Sequence, residues 1–243
     1  MRSLLVVPLT DPSAIDAAFA AAPDALVLDL AGGGRDSTSR ERLRLRARDV
    51  LRSAQLDLHR PHLYLRLEDL DDADFDRDLQ AVMLGEPDGI LLAGCRSGAD
   101  VQHLGAKLAV QEAEYGLTDG ETSVIAEAAG RARALFNLGS YGDASPRLIG
   151  LSWHADGLAA DLGGQHEPQQ ATEVSPFHTV RHLTLFAARA AEVAAIDSAS
   201  LSRDPETILA ECRMARRHGF NAKLATSAAE VAIIHAVFGP EGE

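Results

Sequence analysis

A chain of 243 residues with 46% hydrophobic and 24% charged residues is long enough to bury a sizeable core, and an aromatic share of only 5% favours aliphatic helix-on-sheet packing over all-β or disulfide scaffolds. The formal net charge of −13 repels nucleic acid and anionic membrane over most of the surface, so a small anionic ligand needs a local basic pocket. Cys95 and Cys212, the two cysteines, fit no metal or redox spacing and read as reduced, buried thiols of a cytoplasmic protein.

The opening apolar run reads as a strand over 3–7. Thr10, Asp11 and Pro12 interrupt it well short of a secretory core. No later stretch approaches the ~20 apolar residues of a membrane span. Further strands are expected at 25–30, 62–67, 89–92, 123–126, 148–153, 194–197 and 222–225. Their runs do not alternate strictly, as parallel strands buried on both faces do not. Helical spacing fills the gaps at 11–22, 39–55, 73–84, 99–114, 128–138, 177–192, 205–218 and 228–238. Asp11 with Pro12, Ser97, and Asp204 with Pro205 read as start signals. Eight β-then-α units in 243 residues, close to the roughly 250 typical of the architecture, make a single-domain α/β fold over 1–243, a (β/α)8 TIM barrel, the leading reading, ahead of a doubly wound open sheet. In a barrel the chemistry sits on the loops after each strand, and the longest such excursion, 156–176, reads as a candidate lid.

Each of those loops supplies candidates. Gly32, Gly33 and Gly34 after the second strand permit close backbone approach to an anion, or make a flexible turn; Ser37 stands where a dinucleotide fingerprint needs its last glycine. Arg66 ends the third strand, placed either to bind a carboxylate or enolate oxygen or to pair with Glu68 or Asp29. The acidic run Asp69 to Asp76 lacks calcium-loop spacing and reads as a helix start. Glu127 and Asp156, after strands five and six, either chelate Mg2+ with waters and a bidentate substrate or cap the following helices, and His154 stands ready as acid or base.

Several segments in order resemble the citrate lyase β-subunit-like group of the HpcH/HpaI aldolase superfamily, which includes malyl-CoA and citramalyl-CoA lyases. Arg2-Ser3-Leu4-Leu5-Val6-Val7-Pro8 is similar to the family's opening and Asp24 to Leu30 to its second strand. Leu158-Ala159-Ala160-Asp161-Leu162-Gly163, Ala195-Ile196-Asp197 and Gly219-Phe220-Asn221-Ala222-Lys223 are similar to three later motifs. The resemblance implies a TIM barrel, commonly a homo-oligomer (trimer or hexamer), that uses Mg2+ to make or break a carbon–carbon bond between an acyl-CoA thioester and an oxo acid. Arg66 matches the family's enolate-stabilising arginine.

Other motif positions differ. The metal glutamate aligns with Ala126 and the metal aspartate with Gly157, so Glu127 and Asp156, each one residue displaced, are the expected metal ligands. Ala31 and Gly32 replace an acidic pair, Ala93 to Arg96 replace a segment with lysine and glutamate, and the chain stops before the C-terminal extension common in the family. Three functions are therefore expected in competition. The first is a Mg-dependent carbon–carbon lyase, or thioesterase, acting on a short acyl-CoA such as malyl- or citramalyl-CoA. The second is a catalytically degenerate homologue serving as a binding or regulatory partner. The third is a metal-free enzyme whose anion pocket draws on Gly32, Gly33, Gly34, Arg35, Arg66 and Arg96.

Overall fold

Short aliphatic strands whose side chains are apolar on both faces are stable only when both faces are covered. The computed structural model, which describes residues 1–33, 36–163 and 175–239, meets that demand by closing the sheet. The strands β1 (Ser3–Pro8), β2 (Ala25–Asp29), β3 (His62–Leu67), β4 (Gly89–Leu92), β5 (Ser123–Ala129), β6 (Leu148–Trp153), β7 (Ala194–Asp197) and β8 (Ala222–Ala225) pair in parallel and in sequence order. The last returns to the first, with Leu4 opposite both Ala25 and Leu224. The architecture is thus the expected (β/α)8 barrel, and the open sheet is excluded.

One set of alternating residues, including Leu4, Val27, Tyr64, Leu91, Ile125 and Ile196, fills the barrel's interior. The other set, including Leu26, Leu65, Leu92, Val124 and Ala126, joins the larger layer beneath the helices. Those helices are α1 (Pro12–Ala20), α2 (Ser37–Ala54), α3 (Phe75–Met83), α4 (Gly98–Tyr115), α5 (Ala155–Leu162), α6 (Pro176–Ala190), α7 (Pro205–His218) and α8 (Ala228–Phe238). Asp11 and Asp204 cap α1 and α7 through their carboxylates, each ahead of a first-turn proline. Ser97 does not cap α4 with its side chain; the Gly98 amide instead donates to Ser140 Oγ at 2.9 Å, and a Cβ on Gly98 would stand 2.1 Å from the Ser140 carbonyl oxygen. Among the described residues no helix is long and apolar enough to cross a membrane.

Two stretches depart from the sequence-based expectation. The helix expected over 128–138 starts late, because β5 continues through Ala129 with a shifted register between Glu127 and Ala129, and a 3₁₀ segment (Ala132–Ser140) follows. The excursion read as a lid begins with α5, while 164–174 lie outside the described residues.

The acidic run, together with Asp78 in the first turn of α3, has a use that periodicity does not reveal. Asp78, buried, accepts from Arg40 and Arg44 of α2, while Asp72 and Asp74 pair with the same two arginines. The seam is an ion-pair network between neighbouring helices. Both cysteines are free and buried, and burial pushes the thiols up to about 12 for Cys95 and about 11 for Cys212.

A second buried pair joins α4 to the base of β6. Arg147 donates to both oxygens of Glu112 at 2.7 and 2.6 Å, and the amides of Gly120 and Thr122 donate to the same carboxylate. Burial pushes the Glu112 carboxyl up, but these donors outweigh it and hold it at about 2, below its ordinary 4.5. A carboxyl depressed by folding contributes stability above its unfolded value and loses it as pH falls towards the folded one. Stability should therefore fall between about pH 4.5 and about 2, and Glu112→Gln should flatten that part of a urea-midpoint profile. An unchanged profile would assign the acid sensitivity elsewhere.

Candidate active site

Side chains at the C-terminal ends of barrel strands point into a mouth that the loops surround. Four side chains meet here. Arg66, ending β3, donates from Nε and Nη2 to Glu127 Oε2 at 3.2 and 3.0 Å, and from Nη1 to Asp29 Oδ1 of β2 at 3.3 Å. His154, which follows β6, brings Nδ1 to 3.3 Å from Glu127 Oε1. Glu127 and the interior residue Ile125 are two apart on β5, so they share a face, whereas Ala126 between them packs into the outer layer. Of the two neighbouring positions, it is Glu127 that looks into the barrel.

The electrostatics follow from this arrangement. Burial pushes the Glu127 carboxyl up, yet Arg66 and His154 outweigh it and hold it at about 2. The hydrogen bond to Glu127 raises His154 above its ordinary value, against the opposing effect of its own burial. With Nδ1 turned to a carboxylate, neutral His154 carries its proton there and leaves Nε2 as the basic nitrogen. Two carboxylates facing one guanidinium leave this cluster one negative charge in excess while His154 is neutral.

The remaining candidates are not bonded into this cluster. Asp156 is exposed in the first turn of α5, where its charge acts on His154. Arg96 is committed to Asp71 and Asp100. The Gly32 amide donates to Asp29 Oδ1 and that of Gly33 to the Leu30 carbonyl, so these amides close their own turn. A Cβ on Gly32 would lie 2.8 Å from Asp29 Oδ2, and one on Gly33 2.4 Å from Leu43 Cδ1, which explains both glycines by packing. Gly34 and Arg35 lie outside the described residues. From the sequence, Asp29 stands out only as a partner for Arg66; its position at the end of β2, opposite Arg66 in the register, is the signal that it belongs to the mouth.

The model of the family described as HpcH/HpaI aldolase/citrate lyase matches residues 2–228. The chain belongs to that family. It is 27% identical over 248 residues to a (3S)-malyl-CoA thioesterase of Cereibacter sphaeroides strain KD131, covering 98% of this chain and 77% of that one. It is 28% identical over 247 residues to a citrate lyase subunit beta-like protein of Deinococcus radiodurans, covering 99% and 80%. Among solved structures, the citrate lyase beta subunit of Mycobacterium tuberculosis superposes with a TM-score of 0.76 at 26% identity, covering 98% of this chain and 96% of that one. The CitE protein of the same organism in complex with magnesium and acetoacetate gives 0.78 at 25%, covering 99% and 91%.

Magnesium therefore accompanies a solved relative, and the donors in the mouth bear on whether it suits this chain. Mg2+ takes hard oxygen ligands, commonly one or two carboxylates, with water and substrate oxygens filling the rest. Glu127 and Asp29 are donors of that type, and the excess negative charge they leave beside Arg66 favours a cation. Their chemistry suits the ion, and the sequence-expected Asp156, in the first turn of α5, is a carboxylate of the same type. Among the described residues no group of three or more His, Cys, Asp or Glu side chains converges, so any such ion depends on water and ligand oxygens.

Position 157 cannot take a side chain without cost. A Cβ there would lie 2.8 Å from His154 Nδ1 and 3.0 Å from the Gly130 carbonyl oxygen. Gly157→Asp should push His154 off Glu127 and lower stability by about 1–3 kcal/mol, the usual cost of overpacking. A urea titration that finds the variant as stable as the parent would refute this packing argument.

Proposed function

We propose that this barrel acts on a short acyl-CoA thioester of a hydroxy or oxo acid, cleaving a carbon–carbon bond or the thioester in the mouth above Arg66. The observation that carries the proposal is the chain Arg66–Glu127–His154, a buried carboxylate held between a guanidinium and an imidazole at the catalytic end of the barrel. Family membership and the malyl-CoA thioesterase relative support the substrate class.

In carbon–carbon cleavage a base takes the hydroxyl proton, the bond between the hydroxyl-bearing carbon and the thioester's α-carbon breaks, and its electron pair becomes the thioester enolate. His154 Nε2 is the base in this proposal, with Glu127 orienting the ring from the other nitrogen. Arg66 is the fixed positive charge for the acid's carboxylate or for the enolate oxygen. Where the thioester itself is hydrolysed, the same base takes a proton from water and the thiolate leaves. Glu127 and Asp29 would hold Mg2+, which supplies polarisation of the acid's oxygen atoms.

The test is to supply malyl-CoA and citramalyl-CoA with Mg2+ and to follow free thiol and released oxo acid separately. Oxo acid without thiol identifies a lyase; thiol without oxo acid identifies a thioesterase. A second reading, a non-catalytic binding or regulatory barrel, is favoured by the fact that Nε, Nη1 and Nη2 of Arg66 already donate to the protein's own carboxylates. Neither product from either thioester would decide for that second reading.

A further inference from the structure

Away from the mouth, the layer between the barrel and helices α6 and α7 contains a charged centre that the proposed chemistry does not use. Asp197 of β7 accepts from Trp153 Nε1 at 2.9 Å, from Arg181 Nε and Nη2 at 2.9 and 3.0 Å, and from Lys223 Nζ at 3.3 Å. Asp197, Arg181 and Lys223 are 2%, 5% and 3% exposed, so two buried cations share one buried carboxylate. Lys223 also donates to the Ser198 carbonyl at 2.6 Å, but its third ammonium proton has no acceptor within hydrogen-bond distance among the described residues. The Glu211 carboxylate is the closest further anion, 3.9 Å away and partly solvated.

Beside this centre lies a cavity of about 730 Å³, lined by Lys223, Arg181, Glu211, Arg217 and His178, with Leu201 and Met214 as an apolar wall. His178 Nε2 is buried and has no hydrogen-bond partner among the described residues. Arg217 forms no ion pair among them. A buried polar group left unpaired is costly, and His178 Nε2 is such a group opening on this space, while Arg217 is exposed and presents its guanidinium from the cavity's edge.

We propose that this cavity is a second ligand site, separate from the barrel mouth, which binds a small organic monocarboxylate. The carboxylate accepts from Lys223 and Arg217 and its alkyl chain lies against Leu201 and Met214. One excess positive charge matches a monoanion, the apolar wall matches a carbon chain, and Glu211 disfavours a dianion. The site stands independently of the reaction assigned to the mouth.

The test is calorimetric titration of sodium butyrate into the full chain at pH 7. Saturable binding is expected, unchanged in Arg66→Ala, weakened several-fold in Arg217→Ala, tightened several-fold in Glu211→Gln and lost in Lys223→Met. Because Lys223 is buried, its variant can fail to fold for structural reasons, and the Arg217 and Glu211 variants then decide the outcome. Absence of saturable binding, indifference to both of those substitutions, loss of binding in Arg66→Ala, or preference for inorganic phosphate over butyrate would each overturn the assignment. Since the readout is binding and not turnover, its failure leaves the proposed reaction untouched, and the reverse holds too.

Discussion

Asp197→Ala should destabilise the protein by about 3–5 kcal/mol, the scale seen when one partner of a buried ion pair is removed. The magnitude follows from what remains: the buried Arg181 and Lys223 lose the carboxylate they share, and Trp153 loses the acceptor for its indole N–H. Asp197→Asn keeps one acceptor oxygen and should cost less. Combining Asp197→Ala with Lys223→Met removes one of the stranded cations and should recover part of the loss, a coupling that a double-mutant cycle reads directly. Urea denaturation of the four proteins tests this, and additive losses would show that the two side chains do not share the energetics their geometry implies. The sign of the pH effect is fixed as well. Burial pushes the Asp197 carboxyl up, but Lys223 and Arg181 outweigh it and hold it below the usual carboxylate range, so its contribution is present at neutral pH and fades as acid protonates it.

The same centre illustrates what can be read from the sequence and what cannot. Asp197 and Lys223 lie in or at the end of short apolar runs, and those runs are enough to place β7 and β8 at their observed bounds. Strand identity is legible because a four-residue run such as Gly89–Leu92 is apolar throughout and followed by a helix with its own period. Side-chain direction is harder to read, since each strand offers two faces and closure alone decides which is inside. Arg66 and Glu127 point inward while Asp197 and Lys223 point outward, although all four are charged residues in or at the end of a strand. The direction of Glu127 is also a matter of face: the interior parity set by Ile125 gives the mouth to Glu127 and the outer layer to Ala126. The extent of β5 is not legible because Ala128 and Ala129 favour a helix by propensity, whereas burial beside β6 keeps them extended. The arginine pairing of Asp72, Asp74 and Asp78 depends on helix α2 lying alongside, which no local window contains.

For the proposed reaction, His154→Ala should lower kcat by about 10²–10⁴, the usual share of a positioned acid–base group, with a smaller change in KM. Glu127 acts on that proton only through the imidazole, so Glu127→Gln separates two effects. The amide oxygen can still accept from Nδ1 and orient the ring, but the negative charge that raises His154 is gone. The limb of the kcat profile set by deprotonation of His154 should therefore move to lower pH in Glu127→Gln and vanish in His154→Ala. A purely structural Glu127 would change stability and leave that limb in place. Arg66→Ala should act differently again: with the guanidinium removed, Asp29 and Glu127 face each other without their shared cation, and the acid's carboxylate loses its anchor, so KM should rise along with the fall in kcat. If His154→Ala retains parental kcat at every pH, the proton passes through some other group, and the Arg66–Glu127–His154 chain is a brace for the barrel mouth.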